Sequence, residues 1–143
     1  HIISMLTELL GKLDTEKYSS EEIDVIAREK LGRLGFRCAF FEKFDNPNNL
    51  DLRMSIRSAA LDENSKYLAT LIDEIIFQTK FEDSDKIFKI LKQKQVSLQQ
   101  GFIAAGHAAA LSNAASKILP IHKMSEMASG VAFYLYLKQI LNT

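Results

Sequence analysis

The stretch from Asp83 to Asn142 constrains this chain more than any other, because its apolar spacing fits helices and little else. Ile87, Leu91, Leu98, Phe102, Ala105 and Ala109 recur at three-, four- or seven-residue steps, the spacing of one helix face. Asp83, Ser84 and Asp85 mark the start, where side-chain oxygens cap free N–H groups and acidic charge suits the positive helix end. From Lys89 to Gln100 the far side is polar; from Gly101 to Ala115 small residues dominate. Small residues all round let another backbone approach closely, so this half is expected to be buried on more than one side. The spacing predicts one very long helix ended by Pro120, whose ring and missing N–H cannot continue a helix interior. A last helix over Met124–Leu141 follows, with Met127, Val131, Tyr134, Leu135, Ile140 and Leu141 available for its apolar face.

Upstream, Ile3, Leu6, Leu10 and Leu13 predict a short amphipathic helix over Ile2–Leu13. Ser19 and Glu22 form a capping box before a second helix that turns Ile23, Ile26, Ala27 and Leu31 inward and stops near Gly32 or Gly35. The period then switches to two. Leu34, Phe36, Cys38 and Phe40 alternate along one strand, and Leu50, Leu52, Met54 and Ile56 along another. The turn signal Asp45–Asn49 between them makes an antiparallel hairpin the simplest reading. Leu68, Leu71, Ile72, Ile75 and Ile76 predict a third helix, with N-caps available from Asp62 to Ser65. The expected architecture is α+β: a hairpin or partial antiparallel sheet against several helices, one of them long, in the order α-α-β-β-α-α-α.

At 143 residues the chain is one domain by length. Eighteen basic and eighteen acidic residues cancel, which argues against nucleic-acid and anionic-membrane partners. Lys86, Lys89, Lys92 and Lys94 cluster and read as a solvated helix face. The single cysteine, Cys38, excludes an internal disulfide framework and fits a reducing compartment such as a bacterial cytoplasm or an organelle matrix. No apolar run approaches the roughly 18–20 residues a membrane span needs, and His1-Ile2-Ile3 has no signal-peptide features.

The run Gly106-His107-Ala108 through Ala114-Ala115-Ser116, then Ser125-Glu126-Met127-Ala128-Ser129-Gly130-Val131 and Leu135-Tyr136-Leu137-Lys138, resembles the presequence-protease branch of the M16 (insulinase-like) zinc metallopeptidases. In that branch a small-Gly-His-x-x-Ala helix leads into a Glu-x-x-x-Gly-hydrophobic helix. Phe81-Glu82-Asp83 before a long amphipathic helix fits the same region, as does the helical pair from Met5-Leu6 to Gly35. The resemblance covers nearly the whole chain. Since the chain does not begin with Met, it also suggests a piece of a longer protein, with residues 1–143 forming a single, partial domain.

The resemblance implies two homologous halves closing on a chamber. Zinc and the general base belong to the first half, and this segment belongs to the second, as non-catalytic wall and interdomain packing. The partners implied are other domains of the same peptidase and, in the parent protein, unfolded peptides; the implied cofactor is zinc in the parent and none here. Neither His-x-x-Glu-His nor its reverse His-Glu-x-x-His occurs among His1, His107 and His122, so no zinc site, catalytic residue or cofactor site is expected in this chain. His107, with Gly106, Gly130 and Glu126, is a structural or interface candidate. Its ring is either held by a hydrogen bond in the core or makes a polar contact to the other half of the protein. His122 reads as a surface or capping residue and His1 as incidental. Cys38 reads as a small buried apolar side chain rather than a nucleophile, and Asp51, Arg53 and Arg57 as a half-solvated strand face. Met124, Met127, Phe133, Tyr134 and Tyr136 read as core. The alternative function is a free-standing helical interaction module unrelated to proteolysis. A two-stranded sheet with open edges also predicts self-association of the excised chain.

Overall fold

The computed structural model describes residues 1–43 and 46–142. Two helices, α1 (Ile2–Leu9) and α2 (Ser20–Lys30), lead into an antiparallel hairpin of β1 (Leu31–Lys43) and β2 (Asn46–Ala60). A 3-10 turn at Asp62–Asn64 opens α3 (Ser65–Phe77); α4 (Ser84–Ala104), α5 (Gly106–Ser116), α6 (Pro120–Ser129) and α7 (Val131–Leu141) follow. The α+β class and the order of helices, hairpin and helices match the sequence reading, and α4 is the long helix at 21 residues.

Several boundaries differ. The long helix does not run on to Pro120. Ala105 leaves helical geometry at φ −132°, ψ 45°, and the small-residue half becomes the separate α5. Backbone bonds continue on both sides, Ala105 N–H to the Gly101 carbonyl and Ala109 N–H to the Ala105 carbonyl, so the break is one residue wide. Pro120 opens α6 rather than closing α5; at the first helical position its missing N–H has no partner to lose. The expected last helix is divided at Gly130, which ends α6 and caps α7. Helix α1 stops at Leu9, short of Leu13, because Gly11 takes a positive φ of 79° that reverses the chain.

The Ser19 capping box forms as expected. Ser19 Oγ accepts from Glu22 N–H at 3.2 Å, and Glu22 Oε2 accepts from Ser19 N–H at 2.8 Å. Gly32 and Gly35 do not end α2, which passes from Lys30 straight into β1. Gly32 instead sits where the strand register shifts, between Leu31 opposite Ala60 and Arg33 opposite Ala59. Of the turn expected over Asp45–Asn49, Asp45 lies outside the described residues, and from Asn46 the backbone is strand. Pro47 is tolerated there because each strand of a two-stranded sheet is an edge.

Two cores meet at α1. Leu9 and Leu13 pack with Ile90 and Leu91 of α4 and Phe133 and Leu137 of α7. Their neighbour Leu10 turns the other way, joining Ile23, Leu31, Leu71 and Ile75 from α2, β1 and α3. Helices α1, α2 and α6 contact β1, and α3 and α6 contact β2. On this covered face Leu34, Phe36 and Met54 pack against the second core, and Cys38 Sγ lies 3.6 Å from Ser4 Oγ of α1. The opposite face carries the exposed residues Arg33, Arg37, Phe41, Arg53 and Arg57.

Two lysines expected to be solvated tie α4 inward instead. Lys94 pairs with Glu8 of α1. Burial pushes the Glu8 carboxyl up, but Lys94 and Lys12 outweigh it and hold it below its ordinary range. Lys86 Nζ donates to Asp14 Oδ1 at 2.9 Å and to Ser20 Oγ at 2.6 Å; this contact holds the Asp14 carboxyl low and raises the Lys86 ammonium.

Candidate functional site

The one buried carboxylate among the described residues belongs to Glu126 of α6, 5% exposed. Its burial follows from its partners. Ser112 Oγ of α5 donates to Oε1 at 3.1 Å, Asn113 Nδ2 donates to Oε2 at 3.4 Å, and the Val131 N–H at the start of α7 donates to Oε2 at 3.0 Å. The carboxylate therefore satisfies an orphan N–H of α7, lies at that helix's positive end, and ties α5 to the α6–α7 corner. Gly130 leaves the room. A Cβ built on it would sit 2.5 Å from Glu126 Cδ and 2.6 Å from both carboxylate oxygens. Its φ of −92° is open to any residue, so the requirement for glycine is steric. The Glu-x-x-x-Gly spacing is thus a hinge-corner staple: the glutamate folds back over the position four residues on.

Beside the staple lies a cleft of about 300 Å³ between α4, α5 and α6, lined by Gly101, Ala105, Ala109, Ser112, Ser125 and Ser129 among others. Phe102 of α4 closes one side, its ring edge-on to Tyr134 of α7 at 5.9 Å. The small residues do bring helices together here, but they are not buried on several sides. No residue of α5 is buried, and Ile103 and Leu111 are 77% and 73% exposed. His107 is exposed on α5 and makes no hydrogen bond, ion pair or ring contact among the described residues, which corrects the core-histidine alternative. Its removal, His107→Ala, is expected to change the stability of this chain by less than about 0.5 kcal/mol, the ordinary surface value. A thermal shift of several degrees would show a structural contact.

Glu126 and Gly130 meet in one place; His107 and Gly106 stand apart from them at the α4–α5 break. The other residues singled out by sequence divide. Phe133 is fully buried, whereas Met127 is 38% exposed and Met124 lines an apolar groove of about 490 Å³ with Phe40, Leu52 and Tyr136. His1 stacks on Tyr136 at 4.4 Å, a contact no sequence pattern signals. His122 is half-buried on α6. Cys38 is half-buried against Ser4 and Thr7. Among the described residues no three His, Cys, Asp or Glu side chains converge as metal ligands, so the residues present do not fit a zinc ion. No described helix is long and apolar enough to cross a membrane.

Comparison with known proteins gives this corner a context. Protein HypA of Clostridium perfringens is 25% identical over 138 residues, 96% of this chain and 14% of its own length. A mitochondrial presequence protease of Drosophila melanogaster is 20% identical over 142 residues, 99% of this chain and 14% of its own. A mitochondrial presequence protease of Yarrowia lipolytica is 22% identical over 138 residues, again 96% and 14%. The chain thus spans about a seventh of the length of these curated relatives. Residues 1–140 match the family described as peptidase M16-C associated, and the chain belongs to that family.

Proposed function

We propose that this chain is a non-catalytic segment of a zinc-dependent metalloendopeptidase that degrades unfolded peptides, forming wall and packing surface of its chamber. The observation that carries the reading is the family match over residues 1–140 in a chain that covers only 14% of its relatives. The surface supports it. Ile103, Leu111 and Ile118, in and on either side of α5, stand 77%, 73% and 82% exposed, large apolar side chains that a neighbouring domain could cover. Other domains of the same polypeptide are the partner that fits. The unpaired outer edges of β1 and β2 likewise suit further strands of that polypeptide or, in the excised chain, a second copy. The zinc of the parent is then bound by residues outside this segment, in a bacterial cytoplasm or an organelle matrix.

The experiment replaces His107 and His122 together by alanine in the intact polypeptide and measures zinc per chain and turnover of an unfolded peptide. Zinc content is expected to stay unchanged. Loss of zinc with an unaltered circular dichroism spectrum would place a ligand in this segment and contradict the reading.

A further inference from the structure

The face of the hairpin turned away from the helices carries a row of arginines. Arg33 lies opposite Ala59, Arg57 opposite Gly35, Arg37 opposite Ser55 and Arg53 opposite Ala39. Each arginine therefore faces a small residue, and the four follow one another along diagonals in the order 33, 57, 37, 53. Diagonal cross-strand neighbours are about 7–8 Å apart, so the four arginines leave the sheet as a zigzag of backbone positions at that step. All four are exposed. Arg53 is engaged: it donates to Asp51 at 2.8 Å, and its guanidinium lies 5.1 Å from the centre of the Phe41 ring. Arg33, Arg37 and Arg57 have no carboxylate partner among the described residues. A Cβ added at Gly35, between them, would meet nothing within 4 Å. With Asp51 the acidic residue that the register places beside the arginines, the face is net positive in a chain of zero net charge.

We propose that this face docks an extended peptide carrying carboxylates at alternate positions, an inference that rests on the reading of the segment as chamber wall and names the peptide chemistry the wall selects. The spacing fits. Alternate side chains of an extended strand lie on one side about 6.6–6.8 Å apart, close to the step of the arginine row. Guanidinium forks suit carboxylates bidentately. A nucleic acid fits less well, because the zero net charge offers no wider basic field to neutralise a phosphate backbone.

The test uses this 143-residue chain and a labelled twelve-residue peptide alternating Glu and Thr, followed by fluorescence anisotropy. Its Gln-for-Glu counterpart and a single-stranded oligonucleotide are run in parallel. The glutamate peptide is expected to bind at least tenfold more tightly than the other two and to weaken as salt rises. Arg33→Glu with Arg57→Glu should abolish that binding, whereas Arg28→Glu on α2, where Arg28 already pairs with Asp24, should leave it unchanged. If the charge reversal disturbs the circular dichroism spectrum, Arg33→Gln with Arg57→Gln takes its place, and a tenfold loss is expected. Equal binding of the Glu and Gln peptides, undiminished binding by the folded arginine variants, tighter binding of the oligonucleotide, or no binding at millimolar peptide would each overturn the proposal. None of these readouts depends on zinc content or turnover, so the failure of the wall reading would be seen separately.

Discussion

Gly130→Ala is expected to destabilise this chain by about 2–4 kcal/mol, far more than an alanine at a negative-φ helix junction would ordinarily cost. The new Cβ would lie 2.5 Å from Glu126 Cδ, so the carboxylate must leave its place. Moving it breaks three hydrogen bonds at once, to Ser112, Asn113 and the Val131 N–H. A buried carboxylate is then left short of partners, at about 1–3 kcal/mol, and α7 loses its cap, at about 0.5–2 kcal/mol. A double-mutant cycle with Glu126→Ala separates this cause from any intrinsic preference for glycine. Once the glutamate is gone the methyl group has room, so the double variant should be about as stable as Glu126→Ala alone. Additive losses would show that Gly130 matters for some other reason.

Phe133→Ala carries the other large effect, about 3–5 kcal/mol by urea denaturation. Phe133 is 0% exposed and lies, with Leu137 one turn on, against Leu9 of α1, Leu13 from the turn that follows it, and Ile90 and Leu91 from α4. These neighbours come from three elements fixed by separate contacts, so they cannot close over the space left by the ring. Leu135→Ala, two residues away and 55% exposed, is the control and should cost under about 1 kcal/mol. Similar losses at both positions would mean that α7 does not present the face described.

The sequence reading is most accurate where one local signal decides the outcome. The Ser19–Glu22 capping box and the alternation Leu34–Phe36–Cys38–Phe40 each point to a single structure, and each forms. Element ends are less legible. Leu10 and Leu13 continue a helical spacing past the end of α1, because they supply core side chains from the turn around Gly11. Ala105 has the highest helix propensity of any residue type, yet it breaks the long helix, which propensity does not foresee. The small residues from Gly101 to Ala115 announce close packing, but they cannot say how much of it this chain supplies to itself, and α5 is left exposed. Glu126 and Gly130 are legible as a motif. Their joint role needs coordinates, since it depends on a side chain folding back across a helix junction. The arginine row is half legible: Arg53 and Arg57 alternate within one strand, while Arg33 and Arg37 join them only through the register of the other.

On the proposed reading, this segment serves proteolysis without performing it. The most direct test of that reading is to incubate the purified 143-residue chain with an unfolded, fluorogenically labelled peptide, with and without a chelator, and to measure the zinc that copurifies. No turnover above buffer and no stoichiometric zinc are expected. Turnover that scales with chain concentration and disappears with the chelator would contradict the reading.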